Sequence, residues 1–396
     1  MNTEAIASAA TPGTIGPLRL RNRILKTATF EGMCPRGTPS DALTEHHRRV
    51  AQGGVGMTTV AYCAVQREGR TYDHQMWMRP EIVPALRRLT DAVRAEGAAT
   101  MVQLGHSGFF ADSKVIDGRP LGPSVVFNTY GLSFARAMSE ADIERTTEAF
   151  VDAARMAEEA GFAAVEIHVG HGYLLSQFLS PFTNRRRDRW GGSVENRARF
   201  ACQVVRRVKD AVGGRVAVLA KLNVSDGFRG GLTLEDAVEV ARLLEAAGVD
   251  GLVMSGGFVA KTPLYMLRGD VPLREMIAVQ ESPIRKMGLY LFGRLFVQRY
   301  PFTEDFFLDE ARRIRAAVGV PLVLLGGVHS RDGVARAMAA GFEFVGMGRA
   351  LIHDPDFATK LLRGEVERTP CTVCNQCIAE MDRGGVRCVL PGAPGG

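Results

Sequence analysis

The chain has 396 residues, of which 46% are hydrophobic and 23% charged, so it can bury a large core and is not extensively disordered. Its 49 basic and 43 acidic residues are mixed along the length, and the net charge of +6 suits an anionic cofactor or small-molecule substrate better than nucleic acid. No segment approaches the roughly 20 apolar residues of a membrane span, and residues 1–13 lack the basic start and apolar run of a signal peptide, so a cytoplasmic protein without a membrane partner is expected.

In chain order, short runs rich in Val, Ile, Leu and Ala fall near residues 23–29, 55–61, 99–104, 163–168, 216–222, 251–255, 321–325 and 343–347. Amphipathic stretches of helical period separate them, which is the pattern of repeated βα units around a parallel sheet. Residues 142–160 place Ile143, Phe150, Ala154 and Ala157 on one side of a helix, and 234–247 begin at the N-cap candidate Thr233 and stop at Gly248. Eight units in a row predict one closed (βα)8 TIM barrel. An open doubly wound sheet would more often begin with a Gly-rich phosphate loop after its first strand, and Phe30 to Pro35 is not one. Two segments depart from the repeat. Residues 258–301, after the sixth strand, are too long for an ordinary connection and are expected to form a lid or pocket element with some helix of its own. Residues 366–396 form a Cys-rich tail behind a barrel domain of 1–365.

Barrel enzymes carry their chemistry at the C-terminal ends of the strands. There the sequence offers Gln103 in Val102-Gln103-Leu104, His168 in Glu166-Ile167-His168, Lys221 within an apolar run, and the pair Gly326-Gly327. An ammonium buried in such a run requires an anion or strong acceptor, either a ligand or an internal carboxylate such as Glu166. Gly326, Gly327, Gly348 and Arg349 follow the seventh and eighth strands, where barrels bind phosphate on exposed backbone N–H groups, with an arginine as an added donor. His168, His171 and Tyr173 can polarise a carbonyl oxygen and supply a proton; as zinc ligands the two histidines would lack a clear third partner.

The run 166–200, EIHVGHGYLLSQFLSPFTNRRRDRWGGSVENRARF, resembles the signature of the old yellow enzyme family of NADH:flavin oxidoreductases. Asn22-Arg23-Ile24, Gln103 to His106, Lys221 with Asp226 and Gly227, Gly326-Gly327 and Gly348-Arg349 match the family's other motifs in order, so the resemblance runs from about Pro17 to Leu362. It implies FMN, with Ala28 and Thr29 lining the ring through backbone, Gln103 and Lys221 contacting it, and Gly326, Gly327, Gly348 and Arg349 holding the phosphate. It further implies hydride passing from NADH or NADPH through flavin to the activated C=C of an α,β-unsaturated carbonyl. His168 and His171 would bind the substrate oxygen, and Tyr173 would protonate the α-carbon. Family members are often dimers or larger, so a homo-oligomer is among the expectations. Three residues depart from the pattern: Phe30 stands where a Thr or Cys is common, Phe109 where Arg is, and Trp190 where Tyr is.

The run Arg185-Arg186-Arg187-Asp188-Arg189 alone looks like a nucleic-acid patch, but within the family motif it is expected to be a structural ion-pair network. Cys34, Cys63 and Cys202 are scattered, while Cys371, Cys374, Cys377 and Cys388 form a cluster whose spacing resembles the iron–sulfur branch of the family, with a shorter last gap. Four thiolates so spaced suit a [4Fe–4S] cluster or a structural zinc; the alternative is free cysteines packed under the barrel. Competing functions are oxidative demethylation of an amine or ether, a dihydrouridine-synthase-like RNA reductase, for which no separate basic domain is visible, and a flavin-free aldolase using Lys221.

Overall fold

The computed structural model describes residues 3–128, 131–280 and 282–396. Eight parallel strands close into a barrel in sequence order: β1 (Ile24–Lys26), β2 (Met57–Ala64), β3 (Ala99–Gly105), β4 (Ala164–Val169), β5 (Ala217–Asn223), β6 (Gly251–Ser255), β7 (Leu322–Leu324) and β8 (Phe344–Met347). Each lies at one of the eight expected runs, although β1 and β7 keep only three residues each. Every residue of β2, β4 and β5 is buried, as a parallel sheet packed inside and out requires.

The barrel helices are α1 (Asp41–Gln52), α2 (Val83–Ala95), α3 (Glu140–Glu159), α4 (Val194–Val212) and α5 (Leu234–Ala246), and after the insertion Leu308–Arg315, Arg331–Ala339 and Phe357–Leu362. Several start on a hydroxyl that accepts an otherwise orphaned N–H: Ser40 in α1, Ser139 in α3, Ser193 in α4 and Thr233 in α5. At α3 the cap is reciprocal, Asp142 returning the bond to Ser139 while ion-paired to Arg136 and Arg145.

The small elements that close the barrel floor were not legible in the residue pattern. An N-terminal helix, Thr3–Ala10, precedes a hairpin of Gly13–Ile15 on Leu18–Leu20. A Cβ on Gly13 would lie 2.7 Å from the Phe344 ring at the start of β8.

The insertion contains two helices, α6 (Leu273–Ala278) and α7 (Pro283–Phe296), the latter capped by Ser282 with Pro283 at its first position. The tail lies on the catalytic face, not under the barrel. Val386 N–H donates to Glu31 O at 2.7 Å, and Gly395 N–H donates to His353 O at 2.9 Å. The alternative of cysteines packed under the barrel therefore does not hold for the tail, whose contacts are at the mouth while the N-terminal hairpin packs at the floor.

Candidate active site

One cleft, with about 240 Å³ of free space, opens at the C-terminal face. Its lining includes Ala28, Thr29, Gln103, Lys221, Gly326, Gly327, Gly348, Arg349, His168, His171 and Tyr173, so every cofactor and catalytic residue expected from the sequence meets in one place.

The innermost layer is a polar triad from neighbouring strands. Glu166 on β4 stands in register with Gln103 on β3, and His168 with Lys221 on β5. Gln103 Nε2 donates to Glu166 Oε2 at 2.5 Å, and Lys221 Nζ lies 3.1 Å from the same oxygen and 3.4 Å from Thr27 Oγ1. The internal ion pair weighed for Lys221 therefore exists, and the ammonium still borders the cleft. Glu166 Oε1 and Thr29 Oγ1 are buried without a hydrogen-bond partner. An orphaned hydroxyl in the wall, beside a buried ammonium, fits a polar ligand such as the flavin ring.

His168 Nδ1 accepts the Gly170 N–H at 3.3 Å, which leaves its Nε2 as the N–H donor. His171 Nε2 shares a hydrogen bond with Ser255 Oγ at 2.7 Å, and its backbone N–H donates to Asn223 Oδ1 at 3.0 Å while its φ is 61°. The His168 ring packs edge-on against His171 at 4.9 Å and Tyr173 at 4.8 Å. Burial, then the neighbouring His171 and Lys221, pushes His168 well below the usual imidazole range. Burial and Lys221 lower His171 to about 3. Both imidazoles are thus held in the neutral form at pH 7. Tyr173 caps the helix Leu174–Leu179, and its ring lies 5.0 Å from Tyr62.

Gly326 and Gly327 have φ of 112° and 85°, and a Cβ on Gly326 would reach 2.6 Å from Phe307, so only glycine fits that turn. Gly348 caps the short helix Arg349–His353 that follows β8, the place where barrels add a phosphate-binding turn. The buried Arg349 lines the cleft and also donates to Arg268 O at 2.8 Å and Asn375 Oδ1 at 2.6 Å. Burial lowers its pKa, and Cys371, Cys377 and Cys374 oppose that shift. The arginine stands between the cleft and the cysteine tail. Burial raises Cys371, and raises Cys377 to about 12. Cys377 itself borders the cleft, while Cys388 Sγ lies 3.4 Å from His353 Nδ1. Among the described residues no three His, Cys, Asp or Glu side chains are drawn together as a metal site.

Sequence reasoning missed Tyr62, Ser255, His329, Met266, Met381 and Val386, which also line the cleft. Tyr62 and Ser255 obey the rule that selected Gln103, a polar atom near the C-terminal end of an apolar strand. The tail residues carry no such signal. Phe30 is in the wall and stacks on Tyr72 at 5.6 Å, Phe109 packs against Phe258, and Trp190 Nε1 donates to Glu140. Within the arginine run, Arg186 meets Asp188 and the carbonyls of Pro123 and Met138, and Arg189 forms an exposed pair with Glu140 over the Trp190 ring, while Arg185 and Arg187 are exposed.

A (βα)8 barrel with a buried lysine, a histidine pair and a glycine–arginine turn in one cleft is the architecture of a flavin-dependent oxidoreductase. The chain belongs to the NADH:flavin oxidoreductase / NADH oxidase family, that of old yellow enzyme, whose model matches residues 10–262. It is an enzyme of the NAD(P)H:flavin oxidoreductase type. It is 43% identical over 391 residues to the 4,4'-dithiodibutanoate disulfide reductase of Rhodococcus erythropolis, covering 98% of this chain and 96% of that one. It is 30% identical to an NADH oxidase of Thermoanaerobacter brockii across 92% of this chain, but spans only 52% of that protein. The structure of a 2-naphthoyl-CoA reductase with 2-naphthoyl-CoA superposes with a TM-score of 0.83 at 26% identity, covering 98% of this chain and 58% of that one. Among the described residues no helix is long and apolar enough to cross a membrane.

Proposed function

We propose that this enzyme reduces an activated C=C bond of an α,β-unsaturated carbonyl or similar small molecule. The carrying observation is the contact of His168, His171 and Tyr173 in the cleft that also holds Lys221. A bound FMN would supply the hydride chemistry between NADH or NADPH and the β-carbon. The chain's own groups do the rest. Gly326, Gly327, Gly348 and Arg349 would hold the FMN phosphate, and Lys221 and Gln103 would contact its ring, all of them lining the same cleft. Neutral His168 and His171 donate to the substrate oxygen and draw electron density from the double bond, an interaction that strengthens as the enolate charge develops. The Tyr173 phenol gives its proton to the α-carbon.

The test is an anaerobic absorption spectrum of the purified protein, followed by NADH or NADPH and then 2-cyclohexenone. A flavin band that bleaches and returns supports the reading, whereas a bleached band that ignores the enone sinks it. A second reading, reduction of a small organic disulfide to two thiols, is favoured by the Rhodococcus relative, which matches nearly the whole chain. Reoxidation by 4,4'-dithiodibutanoate and not by the enone would select it. Oxidative demethylation and RNA reduction have less support, since the histidine–tyrosine set suits reduction and Arg186 and Arg189 of the arginine run already pair with carboxylates of this chain.

For the tail we read Cys371, Cys374, Cys377 and Cys388 as ligands of an iron–sulfur cluster next to Arg349. The support is the chemistry of four cysteines with two tight spacings, three of which lie near enough to Arg349 to oppose the lowering of its pKa; the side chains as they stand are not gathered at one point, so cluster binding would have to draw them together. Left-handed backbone at Val373 and Asn375 turns the chain between them. Iron and acid-labile sulfide analysis of anaerobically purified protein tests this. Zinc, or no metal, would refute the cluster.

A further inference from the structure

Helix α7 carries an apolar face that none of the described residues covers. Ile284, Met287, Tyr290, Leu291, Phe292 and Leu295 are 53–74% exposed, six of the eleven large exposed hydrophobics among the described residues. At 3.6 residues per turn they fall on one side of the helix. The opposite side is fixed to the fold, where a Cβ on Gly293 would meet Leu273 of α6 at 2.6 Å, and at one edge of the apolar face Arg285, two turns before Phe292, pairs with Asp112 of the β3 loop at 2.5 Å. Side chains of this size present roughly 150–200 Å² each when bare, so the face offers on the order of 600–800 Å². That exceeds the largest apolar patch of a typical monomer, about 300–600 Å², and approaches the roughly 800 Å² that each partner contributes to a stable interface.

Gly288 points to the occupant. It lies among these residues, and a Cβ added to it would meet nothing within 4 Å. Glycine in the interior of a helix is unfavourable, and no atom of this chain gains from it. A second helix gains, because a residue without a side chain lets another backbone come close. An apolar face with such a notch is self-complementary under two-fold symmetry, each copy offering the same surface to the other.

We propose that α7 is the interface by which two copies of this chain associate, helix against helix across Gly288. Each copy then covers the other's insertion at the edge of the catalytic face.

Sedimentation velocity of the flavin-loaded enzyme at micromolar concentration should give twice the chain mass. The double variant Leu291→Glu/Leu295→Glu should raise the dimer dissociation constant at least tenfold while flavin content and circular dichroism stay unchanged. Gly288→Leu separates folding from association, since open space surrounds the site: it should leave or raise the thermal midpoint and still weaken the dimer at least tenfold. A wild-type monomer, or a dimer indifferent to both variants, overturns the proposal. A monomer that co-sediments through these residues with vesicles containing phosphatidylserine overturns it in favour of a lipid surface, for which Lys286 and Arg294 would supply the charge.

Discussion

Replacing Lys221 with Met removes the one cation beside Glu166 while keeping most of the side-chain volume. Glu166 is 1% exposed, and its Oε2 would keep only the Gln103 amide, while Oε1 has no partner at all. Breaking a buried pair by deleting one member costs about 3–5 kcal/mol, because the other charge is left uncompensated. The surviving Gln103 bond places Lys221→Met near the lower end, at about 3 kcal/mol. Adding Glu166→Gln removes the stranded charge, so the double variant should recover at least about 1.5 kcal/mol relative to additive losses. Urea unfolding at pH 7, followed by circular dichroism for wild type, both single variants and the double, measures the coupling. Additive losses, or a Lys221→Met protein as stable as wild type, would refute the claim that this pair organises the inner layer. The same variant should also retain less flavin, read from the absorption of the purified protein.

Tyr173→Phe should slow reoxidation of the reduced enzyme by an enone by about 10²-fold or more, within the usual range for a general acid, while leaving reduction by the nicotinamide nearly intact; equal loss in both half-reactions, resolved by stopped flow, would remove it as proton donor. Arg349→Ala should lower flavin content and loosen the tail, since Asn375 Oδ1 and Arg268 O lose their donor; undiminished flavin would take the residue out of the phosphate site. Stability should fall with acid. Burial lowers His106, His171 and His329 to about 3, and His46, His47 and His168 are lowered as well. Their neutral forms are native, so the stability they contribute is fully present above the unfolded value near 6.5 and is lost as pH drops below it, by about 2 kcal/mol per fully buried histidine at pH 5. Thermal midpoints at pH 7.5 and 5.0 check this; a flat or rising midpoint toward pH 5 contradicts it.

The barrel was legible because burial on both faces leaves each strand as an unbroken apolar run, as in Val216 to Leu222, and because caps such as Thr233 mark where helices begin. The site was legible for a related reason: Gln103, Glu166, His168 and Lys221 are polar atoms placed where such runs end. The Ser282-Pro283 start of α7 was available in the sequence, since a hydroxyl cap followed by proline opens a helix. The tail was not. Its path depends on left-handed residues at Val373 and Asn375 and on contacts with Glu31 and Arg349, and neither leaves a periodic trace. Lys221 shows a further limit, because its burial announces a partner without telling a carboxylate from a cofactor; here it meets Glu166 and borders the cleft as well.

The hydrogen bond from Val386 to Glu31 ties the last part of the chain to the loop after the first barrel strand, and Met381 and Val386 share a wall with Ala28 and Thr29. Contacts between such distant positions close large loops and form slowly. During synthesis the N-terminal strands emerge long before the segment that finishes the cleft. The barrel can therefore begin to assemble while its mouth is still missing a side, and firm retention of the cofactor must await the arrival of residues near 386. A chain shortened within the tail should fold and yet release its flavin.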